Sequence, residues 1–199
     1  IDMSNQWICL HFPQLPVEVF SRHQVAKPVV VTIRQRVVAM NHHSQKIGIR
    51  IGSSMNTAYT ISEDVVSFER KEDKELEKLT HLAQWAYQFT PNVSIKSPHS
   101  LLLDVAGCLK LFKGIDNLKK LIREGLDSLG FEVMMGVNGT PLAALLFAEA
   151  GLPEAPVRSK IAQSLASVPV HYLRIEENIK GTLHQMGISH CKQLFELPM

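Results

Sequence analysis

A thiol and an imidazole two residues apart, Cys9 and His11, lie at the end of the first apolar run, Trp7-Ile-Cys-Leu10, which Pro13 and Pro16 close off. Side chains alternate along a strand, so the pair shares one face. Such a pair can bind a soft metal ion or act as a Cys–His dyad. It can equally be ordinary filling of a packed sheet. His42 and His43 form a second pair, but adjacent residues of an extended chain point apart, which predicts a solvated loop. The charged run Glu69–Glu77 reads as the solvated face of a helix. Cys9, Cys108 and Cys191 are far apart, odd in number and in no C-x-x-C, which argues against a disulfide framework or zinc ribbon and for a reducing compartment.

These residues need elements to position them. Of 199 residues, 45% are hydrophobic and 20% charged, enough apolar material for a core and too much for a disordered chain. No apolar run approaches the roughly 20 residues of a membrane span, and no signal-peptide pattern opens the chain, so a cytoplasmic protein is expected. The net charge of +2 is small for a dedicated nucleic-acid domain. The β-branched runs Pro28–Ile33 and Arg36–Ala39 predict a hairpin turning at Arg34-Gln35. Gly48, Gly52 and Ser53-Ser54 predict an irregular stretch. Val65–Phe68 reads as a further strand. Leu76, Leu79, Leu82, Ala83, Ala86 and Phe89 predict an amphipathic helix over 72–89. Strands at Val93–Lys96 and Leu101–Val105, a helix from Ile115 to a stop at Gly130, a strand over Phe131–Val137 and a helix over Pro141–Ala150 follow. The order α-β-β-α-β-α, with the Trp7 strand joining its sheet, predicts an α+β fold. Past Pro156 the chain reads as short helices, Leu183–Ile188 and Leu194–Pro198 forming a helix-hairpin-helix.

Four segments in this order resemble Y-family (DinB/UmuC-like) DNA polymerases over about 190 residues. Phe89–Ser94 with Leu101–Gly107 looks like the family's central palm motif, Lys46–Arg50 with Gly52 and Met55 like its fingers motif, Gly136–Ala144 like the last palm segment, and Leu194–Pro198 like its thumb. The resemblance implies a right-hand polymerase core: a palm of antiparallel or mixed, ferredoxin-like sheet over 1–11 and 72–158, small inserted fingers over 12–71, and a partial helical thumb over 159–199. It also implies that the chain is an N-terminal fragment.

In that family two Mg²⁺ ions, held by carboxylates, activate the 3′-hydroxyl and neutralise the triphosphate. By the resemblance, the positions of those ligands carry Cys9, His11, His99 and Ser100 here. Asp104 lies five residues further along the strand, roughly 16 Å away. The positions that grip the triphosphate carry His42, Gln45, Pro141 and Leu145. With His99 opposite, Cys9 and His11 could form a new soft-metal site, but the expectation is no catalytic residue, no metal, no cofactor and no enzyme. The pattern is most similar to ImuB-type members, which implies a non-catalytic adaptor in translesion synthesis and damage-induced (SOS) mutagenesis, associated with the nucleoid. Its implied partners are DNA, bound weakly or through a missing little-finger domain, the sliding clamp, a RecA-like accessory protein and an error-prone replicative-type polymerase. Arg34, Arg36, Lys46 and Arg50 are the candidate DNA contacts; a solvated surface is the equal alternative. A structure-specific DNA-binding module, or an active lesion-bypass polymerase using other ligands, are the competing readings.

Overall fold

The computed structural model describes residues 6–21, 27–152 and 165–197. A first sheet of four strands has the order β5-β6-β1-β7, built from β1 (Trp7–His11), β5 (Val93–Lys96), β6 (Ser100–Asp104) and β7 (Met134–Asn138). All its ladders are antiparallel, with Cys9 opposite Leu102 on one side and Gly136 on the other. Between β1 and the rest of this sheet the chain builds a second one, ordered β3-β2-β4. Its strands are β2 (Val29–Ile33), β3 (Arg36–Met40) and β4 (Val66–Glu69), with β4 parallel to β2.

Period-two alternation decides what covers each face of the first sheet. Ile8, Leu10, Leu101, Leu103 and Val137 point to one side. There they meet α4 (Glu72–Ala86) through Leu79, Leu82 and Ala86, and α5 (Ile115–Leu129) through Leu118, Ile122 and Leu126. Cys9 and Leu102 point to the other side, against Ala144, Leu145 and Ala148 of α6 (Pro141–Glu149). The second sheet buries Val30 and Val37 against Ile49, Met55 and Ala58. Its opposite face buries Val29 and Val31 with Val17 of α1 (Leu15–Glu18), and the Phe20 and Phe68 rings stack there at 4.7 Å.

The hairpin turns where the sequence predicts, at Arg34 (φ 48°) and Gln35 (φ 62°). Positive φ at both central positions matches the strand twist, although neither residue is the Gly or Asn that prefers it. Two short helices fall in the stretch read as loop and irregular structure. Asn41 caps α2 (His42–Lys46) and Ser54 caps α3 (Met55–Ile61), each accepting a backbone N–H with its side chain. His42 and His43 are thus helical. Helix α4 is also rotated from its reading: Glu75 is 2% exposed, whereas Leu76 is 50% exposed. The carboxylate turns inward because it meets two half-buried partners there, Arg70 and His99.

At the C-terminal end a 3₁₀ turn, Val170–Tyr172, precedes α7 (Glu177–Gln185) and α8 (Cys191–Phe195), with Gly187 in the left-handed region between them (φ 76°). The expected thumb boundary near 158 lies outside the described residues. No helix among the described residues is long and apolar enough to cross a membrane.

Helix α6 lies so close to β7 that a Cβ on Gly136 would run into the backbone of Ala144 and Ala148. Gly136→Ala should therefore lower unfolding stability by about 3 kcal/mol, while Gly107→Ala, with open space around it, should change little. Urea unfolding of the two variants checks this.

Candidate functional site

The C-terminal end of β1 and the start of β6 bring together three of the four residues singled out on the palm strands. His11 lies opposite Ser100, and its Nδ1 is 2.9 Å from the Ser100 hydroxyl. The Ser100 side chain also acts on the Cys9 thiol, favouring its ionised form. Cys9 is fully buried under α6. Burial, reinforced by the negative charge of Glu149, pushes its thiol up to about 12, so it is a neutral thiol and a poor nucleophile or metal ligand. Burial likewise holds His11 below its ordinary value, against the pull of Glu149. His11 is therefore a neutral imidazole at pH 7.

His99 turns elsewhere. Its Nε2 is 3.0 Å from Glu75 Oε2. Arg70 donates to the same carboxylate twice, Nε to Oε1 at 2.8 Å and Nη2 to Oε2 at 2.9 Å. Burial works to raise the Glu75 carboxyl, but the hydrogen bonds from Arg70 and His99 prevail and hold it below the usual range. From the other side Glu149, at the end of α6, pairs with Arg174 at 2.7 Å, and the charges of both reach Cys9 and His11. The sequence reading contained none of Arg70, Glu75, Glu149 and Arg174 as site residues. Asp104 lies at the far end of β6, opposite Trp7, and caps its own turn by accepting the Ala106 N–H at 3.2 Å.

The four positions assigned by resemblance to the triphosphate are dispersed in character. His42 is exposed and bonds Glu132 Oε2 through Nε2 at 2.7 Å. Gln45 is exposed on α2, Pro141 is exposed at the start of α6, and Leu145 is buried in the cluster with Cys9. Below the His42–Glu132 contact, Glu18 Oε1 accepts the Glu132 N–H at 2.7 Å, while its Oε2 is buried without a partner. Burial, and then the neighbouring Glu132 charge against the pull of that N–H, leaves the Glu18 carboxyl up at about 7.

Arg34, Arg36, Lys46 and Arg50 are all exposed. Arg36 and Arg50 converge on one turn, where Arg36 Nη1 donates to the Gly52 carbonyl at 3.0 Å and Ser53 N–H donates to the Arg50 carbonyl at 3.1 Å. Arg34 is next to them in the β2–β3 turn, whereas Lys46 ends α2, beyond the other end of β3.

This arrangement of two sheets and their helices is a Y-family polymerase core. It superposes on Dbh DNA polymerase in an insertion ternary complex with a TM-score of 0.75 at 18% identity, covering 97% of this chain and 61% of that one. A post-insertion binary complex of Dbh DNA polymerase gives 0.73 at 17% identity, with 97% and 60% covered. DinB from Sulfolobus solfataricus gives 0.71 at 17% identity, again with 97% and 60% covered. The chain thus spans about three-fifths of the length of these structures. Residues 15–149, well over half of the chain, match the impB/mucB/samB family, and the chain belongs to that family. No curated protein matches it.

These matches overturn the expectation that the chain is no enzyme. Profile and fold both point to the Y-family DNA polymerases, and nothing in them separates this chain from enzymes. That expectation rested on carboxylates at aligned strand positions alone; in the structure Glu75 lies beside His99 on the α4 side and Glu149 acts on Cys9 and His11 from the α6 side. The pair of Mg²⁺ ions implied by the resemblance does not fit the residues present. Mg²⁺ takes hard oxygen ligands; a neutral thiol, a neutral imidazole and a serine hydroxyl face each other here, and Glu75 is engaged by Arg70 and His99.

Two outcomes follow from these environments. In the folded protein iodoacetamide should leave Cys9 unmodified, and in denaturant alkylate it fully, as read by peptide mass spectrometry. Glu18 ionises above about pH 4.5 when unfolded but only above about 7 when folded. Folding therefore takes up a proton between these values, and stability falls as pH rises through that window. Glu18→Gln should raise stability at pH 8 by about 2–3 kcal/mol and converge with the wild type below pH 4.5, as checked by thermal unfolding at both pH values.

Proposed function

We propose that the chain acts in translesion synthesis at primer–template DNA, as an adaptor of ImuB type that organises other replication proteins there. The observation that carries this reading is how the strand-end polar groups of a Y-family core are used. His11 is bonded to Ser100, and His99 and Arg70 are both bonded to Glu75, so these groups serve the protein's own structure. In this reading the four-stranded sheet with α4, α5 and α6 is the palm, the three-stranded sheet the fingers, and the helices around Gly187 part of the thumb. The sliding clamp, a RecA-like accessory protein and an error-prone replicative-type polymerase are the partners, and Arg34, Arg36 and Arg50 contact the template backbone.

A second reading, a working lesion-bypass polymerase, is favoured by the match to a polymerase in an insertion ternary complex. One set of experiments separates the two. Under the adaptor reading, the chain binds primer–template through about three phosphates. Affinity then drops about 40-fold between 50 and 200 mM salt, and Arg36→Gln or Arg50→Gln each lowers the salt slope by about one. Clamp and partner polymerase co-elute with the DNA-bound protein in gel filtration. Primer extension by the protein alone, lost on His99→Ala, would establish the second reading instead, and absence of any salt-dependent DNA binding would remove both.

A further inference from the structure

The chain passes between its two sheets twice, leaving the four-stranded sheet after His11 and returning after Glu69. Both crossings are tied to one residue. On the way out, the Phe12 N–H donates to the His99 carbonyl at 2.8 Å. On the way back, Arg70 donates its own N–H to Thr32 of β2 at 2.9 Å, which fixes it to the three-stranded sheet. Its guanidinium holds Glu75 with two parallel bonds of 2.8 and 2.9 Å, and Glu75 holds the His99 ring at 3.0 Å. His99 lies in the turn between β5 and β6, so it is part of the four-stranded sheet's frame.

We propose that Arg70, Glu75 and His99 form a clasp that sets the angle between the two sheets. Three features suit them to it. The bidentate Arg–carboxylate pair fixes direction as well as distance, which a single bond does not. The carboxylate between them is 3% exposed on its side chain, and Arg70 22%, so water competes little for these bonds. The third member grips both crossings at once, one with its ring and the other with its backbone. Helix α1 also packs on both sheets, Leu15 in the core of the four-stranded one and Val17 against Val29 and Val31 of the other; apolar packing has no preferred direction, and the clasp adds the directional bonds that fix the angle. The inference is independent of the adaptor reading, since it concerns rigidity and not partners.

Residual dipolar couplings of backbone amides in β1 and β6, compared with those in β2 and β3, test it. In the wild type one alignment tensor fits both sets. In His99→Ala, which removes the ring but keeps the carbonyl, the two sets should need different tensors. In His99→Gln, whose amide can still donate to Glu75, a single tensor should return. Arg70→Lys keeps the charge but loses the fork, and serves as a second, milder variant whose two sheets should likewise separate. A single tensor fitting wild type, His99→Ala and Arg70→Lys alike would overturn the clasp.

Discussion

Strand β1 has a neighbour on each of its four sides, and the rest of the four-stranded sheet is arranged around that fact. Its edges carry ladders to β6 and β7, one face buries Ile8 and Leu10 beneath α4 and α5, and the other buries Cys9 beneath α6. Each such aliphatic side chain contributes about 1.5–3 kcal/mol when fully buried, and without the strand the sheet falls into a β5–β6 pair and a solitary β7. Gly136 belongs to the same constraint: α6 can cover Cys9 only by approaching β7 at backbone contact. Gly125 does the corresponding service on the opposite face, giving the Trp85 ring room between α4 and α5.

A strand this deeply placed limits what polar side chains near its end can be. A buried carboxylate left without partners costs several kcal/mol, and the structure meets this by supplying partners. Glu75 receives three hydrogen bonds from Arg70 and His99. Cys9 and His11 stay neutral, and His11 is bonded to Ser100. Glu18 is the exception, because its second oxygen has no partner and its carboxyl settles that deficit by holding its proton to near neutrality. Within the four-stranded sheet Cys9 and His11 thus follow the strand geometry, while Glu75 and its partners act on how that sheet meets the other.

Much of this architecture could be read from residue order. The continuous apolar runs Trp7–Leu10 and Leu101–Leu103 announce strands buried on both faces, and period two puts Cys9 and His11 on one of them. The hairpin, β4, both long helices and β7 fall where the pattern places them, with ends shifted by a few residues. Helix α4 shows where periodicity runs out. A helix with Leu76 inward and one with Glu75 inward differ by a single 100° step, and what decides between them is Arg70 and His99, neither of which the helix's own pattern reveals. The pairing of His42 with Glu132 joins residues ninety positions apart and leaves no local trace. The helices α2 and α3 did leave one, in the capping residues Asn41 and Ser54, but five and seven residues are too few to develop a periodic face. At the strand ends, chemistry read one position at a time gave the residue types and missed their partners from other elements, Glu75 beside His99 and the Glu149–Arg174 pair near Cys9 and His11.

The order in which the strands come off the ribosome has a consequence of its own. Strand β1 is synthesised before both of the strands that flank it, so it must wait until residues 100–104 and 134–138 have been added. The three-stranded sheet is complete by Glu69 and can form while β1 still has both edges open. For that interval the nascent chain carries an apolar, unpaired strand, the kind of segment that pairs with neighbouring chains or is held by chaperones. The long sequence separation between β1 and its partners makes the four-stranded sheet the later of the two to fold, whatever its final stability.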